Sequence, residues 1–268
     1  MSRKHLIVNA DDYGLCREIS LGILRAYNEG VVTAVSVVSV GRYFKEGLNA
    51  LSDSELDIGV HLTFVDQEKS LTGPIKGLTN PFGIFHKDKK QVIPRIVLGA
   101  FDYKALETEL YAQTERIAAA GLPITHIDAH QHLHLLPGIT QMVLDIARHY
   151  KIPWVRIPQS RIWDIKGSGL NLLGRRLRWI STRMGLRQTD YCLGFDHSGH
   201  THQKVLMELL NRVEPGITEL IMHPGLDASH RYDWKFEWQN ELAALTSNAI
   251  KHRMDVLDIQ LTNFSGVS

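Results

Sequence analysis

The chain has 268 residues, of which 44% are hydrophobic and 22% are charged, a composition that is ordinary for a globular protein. Its formal net charge of +1 produces no overall field that would favour nucleic acid, so we expect no nucleic-acid partner. Cys16 and Cys192 stand far apart, which argues against a disulfide framework and fits a reduced, cytoplasmic setting.

Strand-like and helix-like patterns alternate along the whole chain. The predicted strands are Leu6–Val8, Ala34–Val40, Leu56–Leu62, Ile124–Ala129, Trp154–Ile157, Thr218–Met222 and Ile259–Phe264. The predicted helices are Arg17–Asn28, Tyr43–Leu51, Gln91–Leu98, Lys104–Ala120, 138–150, Gln203–Val213, Trp234–Leu245 and Asn248–Leu257, with a long loop over 63–85. About seven strand–helix units predict one α/β domain over 1–268, a (β/α) barrel with parallel strands covered by helices.

Polar side chains lie at or just after the C-terminal ends of four of the predicted strands. They are Asp11 and Asp12, then His61, then the group Asp128, His130 and His132, and finally His223. Active sites of parallel α/β folds form at the C-terminal ends of the strands, so we expect these side chains to meet.

The segment from His126 to His134 carries four histidines and Asp128 at alternate positions. On an extended backbone such residues share one face, and His130 with His132 would form a pair of metal ligands. Asp128 is either a ligand or an acceptor that orients a histidine. His126 and His134 are more typical of structural histidines. The segment therefore predicts a metal site of the catalytic kind.

Each of the other polar residues can be interpreted either as part of an active site or as an ordinary structural residue. Asp11 and Asp12 point in different directions on an extended strand, so one can bind a metal while the other acts as general base, although aspartates also form turns and helix caps. His61 alone is more often structural. His223 is either a general acid for a departing amine or a histidine before a Pro-Gly turn. Arg156 is either the partner of a site carboxylate or a surface residue.

Four motifs together resemble the YdjC-like carbohydrate deacetylase family. They are Asn9-Ala-Asp-Asp-Tyr-Gly14, Gly59-Val-His-Leu62, Thr125-His-Ile-Asp-Ala-His-Gln-His-Leu-His134 and Leu220-Ile-Met-His-Pro-Gly225. The family includes chitooligosaccharide deacetylases and sugar deacetylases associated with hopanoid biosynthesis. The resemblance implies a distorted (β/α) barrel and a divalent-metal-dependent hydrolase that releases acetate from N-acetylated amino sugars, either soluble oligosaccharides or lipid-linked sugars.

The resemblance also assigns roles by motif. It implies that Asp12, His61 and His130 bind one divalent metal ion, that Asp11 is the general base and that His223 is the general acid. The separate roles of Asp11 and Asp12 rest on analogy with the paired aspartates of polysaccharide deacetylases. Two histidines and a carboxylate suit zinc, and magnesium remains an open alternative.

The segment Arg161–Arg187 is strongly basic, with seven arginines and lysines against the single acid Asp164. Its apolar residues recur at helical spacing, which predicts an amphipathic helix. This helix either covers the barrel in water or contacts a membrane surface for a lipid-linked sugar, a role that Ile93–Phe101 could share. We see no signal peptide and no transmembrane run, so a peripheral contact would lie at the inner face of the membrane. We also keep a homodimer, in which a second copy of this chain is the partner, as an alternative.

Two other functions remain as alternatives. One is a metal-dependent amidohydrolase or phosphoesterase barrel, but those usually place the H-x-H pair on the first strand, where this chain has Asp11 and Asp12. The other is a non-catalytic sugar- or lipid-binding protein with a structural metal, which would need neither an acid nor a base.

Overall fold

The computed structural model describes residues 3–162 and 164–267, so Trp163 of the basic segment lies outside the described residues. The strands are β1 (Lys4–Tyr13), β2 (Ala34–Val37), β3 (Asp57–Leu62), β4 (Ile124–Ala129), β5 (Trp154–Val155), β6 (Tyr191–Leu193), β7 (Gly216–Met222) and β8 (Ile259–Thr262). The helices are α1 (Arg17–Asn28), α2 (Phe44–Ser52), α3 (Lys89–Val97), α4 (Tyr103–Ala118), α5 (Ile139–His149), α6 (Ile165–Arg183), α7 (Gln203–Leu210), α8 (Trp238–Leu245) and α9 (Asn248–Val256).

The strands form one parallel sheet in the order β5-β4-β3-β2-β1-β7-β6, and β8 pairs with the first residues of β1. The sheet is curled but not closed, because β5 and β6 share no ladder; an isolated bridge between Trp154 and Arg187 lies beside β5. The prediction of an α/β fold of the distorted-barrel type is therefore confirmed.

The central strands read as nearly continuous apolar runs because both of their faces are buried. All four residues of β2 and all six of β3 are buried. A Cβ at Gly59 of β3 would lie 2.2 Å from Nε2 of His126, so only glycine allows the imidazole on β4 to pack there. The packing of these strands brings their polar C-terminal ends to one edge of the sheet.

Several predicted elements differ from those of the structure. β1 continues through Asp11 and Asp12 to Tyr13, with a shift of register after Ala10, because the paired carboxylates remain in the sheet. β6 was not predicted, since three residues are too few to show a pattern. The helix predicted over Trp234–Leu245 begins at Trp238.

The basic segment forms α6 as predicted. The Asp164 side chain caps the helix by accepting a hydrogen bond of 2.7 Å from the backbone N–H of Gly167. Among the described residues, no helix combines the length and the apolar character that crossing a bilayer requires.

Candidate metal centre and active site

The end of β1 presents two adjacent carboxylates to different neighbours. Asp12 has φ +75°, a left-handed conformation, at the irregularity of β1 that precedes the Tyr13–Val37 pairing. Such a backbone costs on the order of 1–3 kcal/mol in a residue other than glycine, and this cost is typical of functional positions. Asp12 faces His61 and His130, whereas Asp11 faces Arg156.

Three buried side chains converge at this edge of the sheet. Oδ1 of Asp12 lies 2.9 Å from Nδ1 of His130 and 3.5 Å from Nε2 of His61, and the two histidine nitrogens are 3.3 Å apart. The three ligand atoms come from β1, from β3 and from the turn after β4. Two imidazoles and one carboxylate are the donors that zinc and related divalent ions bind in catalytic sites.

The hydrogen bonding of Asp12 tests whether a cation fits there. Asp12 is only 1% exposed; its Oδ1 contacts the imidazoles of His130 and His61, but none of the described residues donates a hydrogen bond to its Oδ2. Burial alone would raise the pKa of this carboxyl, but the neighbouring His130 and His61 hold it below its ordinary value. A buried carboxylate oxygen without a hydrogen-bond donor is costly, so the donor set fits a divalent ion that would complete it.

Two further carboxylates orient the histidines of this cluster. Oδ1 of Asp128 lies 2.6 Å from Nδ1 of His61, and Oδ2 of Asp66 lies 2.9 Å from Nε2 of His130. Each carboxylate accepts a hydrogen bond from the outer ring nitrogen, so the inner nitrogen keeps its lone pair for a metal. The contact with His61 is the one that the orienting role of Asp128 predicts, while Asp11, His61 and Asp128 also form a second buried group that could hold a metal ion.

Asp66 is a site residue that the sequence analysis missed. It lies in the predicted loop 63–85, has φ +61° and also accepts hydrogen bonds from Trp234 Nε1, at 3.3 Å, and from Gln131 Nε2. Burial opposes a proton on His130, but Asp12 and Asp66 raise the pKa of this histidine well above its ordinary value. The same negative field would favour a divalent cation.

Arg156 connects the site carboxylates on the side of Asp11. Its Nη1 and Nη2 donate to the two oxygens of Asp11 at 2.7 Å each, and its Nε donates to Glu219 at 2.7 Å. Nη1 also contacts Oδ2 of Asp128. Burial disfavours the charged guanidinium, but Asp11, Asp128 and Glu219 raise the pKa of Arg156. Arg156 is thus the buried partner of site carboxylates that the first of its two interpretations predicted, and it is not a surface residue.

His223 follows β7 on the other side of Asp11. Its Nε2 lies 3.9 Å from Oδ2 of Asp11, and its ring meets the edge of Phe236 at a centroid distance of 5.1 Å. The backbone N–H of His223 donates to Oε2 of Glu241 at 2.6 Å, which fixes the start of the Pro-Gly turn. The imidazole of His223 is therefore held beside Asp11.

The prediction that His130 and His132 form a pair of metal ligands is wrong. β4 ends at Ala129, and a 3₁₀ turn over His130–Leu135 begins there, with Gln131 and His132 in the left-handed region. The extended backbone that would place both imidazoles on one face is therefore absent. His132 packs against Phe195 at a ring distance of 5.0 Å instead.

His126 and His134, the two outer histidines of the segment, are buried and pack within the protein core. His126 stacks on Phe264 at 4.2 Å, and burial lowers its pKa to about 3. Nε2 of His134 lies 3.1 Å from the backbone carbonyl of Arg156 and donates to it, and burial lowers the pKa of His134 to about 4. Both side chains are neutral structural residues at neutral pH.

A cavity of about 1110 Å³ opens over the converged side chains. Asp11, His61, His130 and His223 line its polar part. Its aromatic wall comes from Phe195, Trp234 and Phe236, and its aliphatic wall includes Ile93 of α3 with Leu170 and Leu173 of α6. A mainly apolar cavity with a few convergent polar groups is typical of a small-molecule site.

Comparison with known proteins shows the family to which this chain belongs. The family model described as YdjC-like protein matches residues 5–255. A carbohydrate deacetylase from Brevibacillus brevis is 30% identical over 268 residues, covering 97% of this chain and 98% of the relative. A carbohydrate deacetylase from Vibrio vulnificus is 29% identical over 276 residues, covering 97% of this chain and 95% of the relative.

The solved structures show the same fold. A candidate cellobiose-phosphate cleavage protein from Enterococcus faecalis superposes with a TM-score of 0.80 at 24% identity, over 100% of both chains. An uncharacterised protein from Agrobacterium tumefaciens reaches a TM-score of 0.53 at 12% identity, over 100% of this chain and 90% of the other. Because the family model and the curated relatives span nearly the whole chain, this protein belongs to the YdjC-like family.

Proposed function

We propose that this protein is a metal-dependent carbohydrate deacetylase, a hydrolase that removes the acetyl group from an N-acetylated amino sugar. One observation supports the proposal above all others. Asp11 and His223, 3.9 Å apart, line the same cavity as His61 and His130 of the candidate metal centre. A base, an acid and a metal site at one cavity are the groups that amide hydrolysis requires.

The metal site in this proposal consists of Asp12, His61 and His130. A divalent ion held there would supply Lewis-acid polarisation of the amide carbonyl and a lowered pKa of water. The residues themselves provide orientation, because Asp128 and Asp66 fix the two imidazoles. Zinc suits this donor set, and magnesium is the alternative ion of the proposal.

Asp11 and His223 divide the proton transfers between them. Asp11 takes a proton from the attacking water as the water oxygen bonds to the acetyl carbon. Nε2 of His223 donates a proton to the sugar nitrogen as the carbon–nitrogen bond breaks, which leaves acetate and a free amino sugar. Arg156 holds both oxygens of Asp11, so this carboxylate stays in place for the transfer.

The aromatic wall of the cavity supports a sugar as the substrate. Trp234 lies beside His130 with their ring centroids 5.2 Å apart, and Phe236 lies beside His223. The apolar face of a pyranose ring can pack on such rings while its acetamide reaches the polar groups. The relatives named carbohydrate deacetylase point to the same substrate class. The substrate is then a soluble oligosaccharide or a sugar on a lipid carrier.

Release of acetate tests the proposal. We would measure it from N,N′-diacetylchitobiose and from an N-acetylglucosaminyl lipid, with zinc or magnesium supplied, for the wild type and His130→Ala. His252→Ala, a change of an exposed histidine on α9, is the matched control. Activity that disappears only in His130→Ala supports the proposal. Metal binding without acetate release from either sugar would shift support to the binding protein or to another amidohydrolase.

A further inference from the structure

The outer face of α6 exposes large apolar side chains to solvent. Leu172 is 67% exposed and Trp179 is 58% exposed, and their spacing of two helical turns places them on one face. Arg175 and Arg183 are exposed beside them, and the Arg183 guanidinium lies 3.8 Å from the centroid of the Trp179 ring. A helix that mixes tryptophan, leucine and arginine on its solvent side is typical of a helix that lies in a lipid interface.

This face carries arginines whose positive charge no acidic side chain among the described residues neutralises. Across the described ranges 3–162 and 164–267, Arg175 and Arg183 form no ion pair. Arg178 differs, because it donates to the carbonyl of Thr189 at 2.9 Å and so holds the fold together. The free cations concentrate the positive charge of the segment at one surface, which favours an anionic partner.

The inner face of the same helix lines the substrate cavity. Leu170 and Leu173 face the cavity, and Ile162, which precedes α6, lines it while remaining half exposed. The helix α3 also lines the cavity, through Ile93. Leu98, the residue directly after α3, is 79% exposed. The apolar wall of the cavity therefore continues into exposed apolar surface on the two elements that line it.

We propose that α6 lies on an anionic lipid surface through Leu172, Trp179, Arg175 and Arg183, and that the acetylated sugar enters the cavity from a lipid carrier in that surface. The chemistry rests on the proposed deacetylase function, whereas the docking rests on the exposed face alone. A second copy of this chain is a poor occupant, because a symmetric contact would bring the arginines of the two helices together.

Vesicle binding tests the docking without any substrate. The metal-loaded protein would be floated with vesicles of phosphatidylcholine alone and of phosphatidylcholine with phosphatidylglycerol. We expect binding only to the anionic vesicles, weakened about fivefold for each arginine removed in Arg175→Gln and Arg183→Gln. Leu172→Ser with Trp179→Ser should also weaken it. Val256→Ser on α9 is the matched control, since Val256 is also 58% exposed and lies outside the cavity lining.

Three results would overturn the proposal. They are the absence of binding to anionic vesicles, equal weakening by Val256→Ser, and a dimer in solution that the α6 variants abolish. Acetate release from soluble N,N′-diacetylchitobiose, measured on the same preparations, should be unchanged in the α6 variants. Loss of deacetylation in every preparation with vesicle binding intact would overturn the proposed reaction but not the docking, so the two failures are distinguishable.

Discussion

Arg156 and Asp11 form a bidentate ion pair at the centre of the site, with both N–O distances at 2.7 Å. Asp11 also accepts a hydrogen bond of 2.8 Å from Nδ2 of Asn9, so its oxygens are held by three donors. Its neighbour Asp12 contacts His130 and His61 through Oδ1, and none of the described residues donates a hydrogen bond to its Oδ2. This contrast supports the division of roles between the two aspartates, because a carboxylate held by three donors suits a base and one that keeps an oxygen free beside two imidazoles suits a metal ligand.

Replacing Arg156 by lysine should damage both stability and activity. Lysine keeps one charge but loses the planar fork that reaches Asp11, Asp128 and Glu219 together. Leaving buried carboxylates without a partner should cost about 3–5 kcal/mol of unfolding free energy. Displacement of Asp11 should lower kcat/KM about 100-fold. Urea unfolding and acetate release measure both effects, with exposed Arg175→Lys as control; a fully stable Arg156→Lys protein would contradict the network.

Removal of the metal should lower both the melting temperature and the activity. A ligand present at about 100 times its Kd stabilises the native state by about 2.7 kcal/mol, so a chelator should shift the thermal transition downward. Added zinc should restore the transition and the release of acetate. In Asp12→Asn, which lacks the carboxylate of the site, the chelator should have little effect. An unchanged melting curve of chelated wild type would count against a bound metal.

Asp66→Asn should weaken metal binding through His130. Asp66 accepts hydrogen bonds from His130, Gln131 and Trp234, and an amide has a single acceptor oxygen for them. Loss of such an orienting carboxylate typically costs 10- to 100-fold in metal affinity or activity. Zinc titration monitored by calorimetry measures the affinity directly. The control is Glu68→Gln, whose side chain accepts from Tyr232 in the same region; equal affinity in both variants would exclude the positioning role.

The fold was predictable where one physical signal dominates. The helix α1 has the predicted bounds Arg17–Asn28, and β2 begins at Ala34 as predicted from its valines, although it ends at Val37 and not at Val40. The error at Trp234 has a different origin. Tyr232 and Trp234 stack at a ring distance of 4.4 Å, an arrangement of alternate residues in the chain before α8. Trp234 also packs beside the distant His130, with the ring centroids 5.2 Å apart, and no local pattern in the sequence predicts that contact.

The candidate site was predictable only in part, because its supporting residues come from distant segments. Asp12 and His61 lie near the C-terminal ends of β1 and β3 and His223 directly follows β7, so the topology alone places them at one edge of the sheet. Asp66 lies 64 positions before His130 in an irregular loop, and no spacing relates them. The bounds of β4 were predicted correctly, but the pairing of His130 with His132 assumed an extended backbone after Ala129, where the chain forms a 3₁₀ turn instead. The catalytic and metal-binding roles remain predictions.

His223→Gln tests the general acid by comparing two leaving groups. On an N-acetylated sugar the departing amine needs a proton, so kcat should fall about 100- to 10,000-fold with little change in KM. On 4-nitrophenyl acetate the leaving group departs without a proton, so the loss should be much smaller. His230→Gln, a change of an exposed histidine on the segment after β7, is the control. Equal losses on both substrates would show that His223 does not act as the acid.

The stability of the metal-free protein should depend on pH through His134. In the fold, burial lowers the pKa of His134 to about 4 from an ordinary value of 6.5. The unfolded chain therefore binds a proton between these values while the native state does not, so stability present above about pH 6.5 is lost as the pH falls towards 4. The contribution is on the order of 3 kcal/mol, because one pKa unit corresponds to about 1.4 kcal/mol.

His134→Gln isolates this contribution, because the Gln amide can still donate to the carbonyl of Arg156 but does not titrate. Urea unfolding of the chelated protein at several pH values, followed by circular dichroism, gives the free energy of unfolding. The wild type should lose more stability than His134→Gln between about pH 6.5 and pH 4. Exposed His252→Gln controls for the loss of a histidine by itself. Parallel pH profiles of the wild type and His134→Gln would mean that His134 is protonated in the native state, and the hydrogen bond to Arg156 would then stabilise the charged ring.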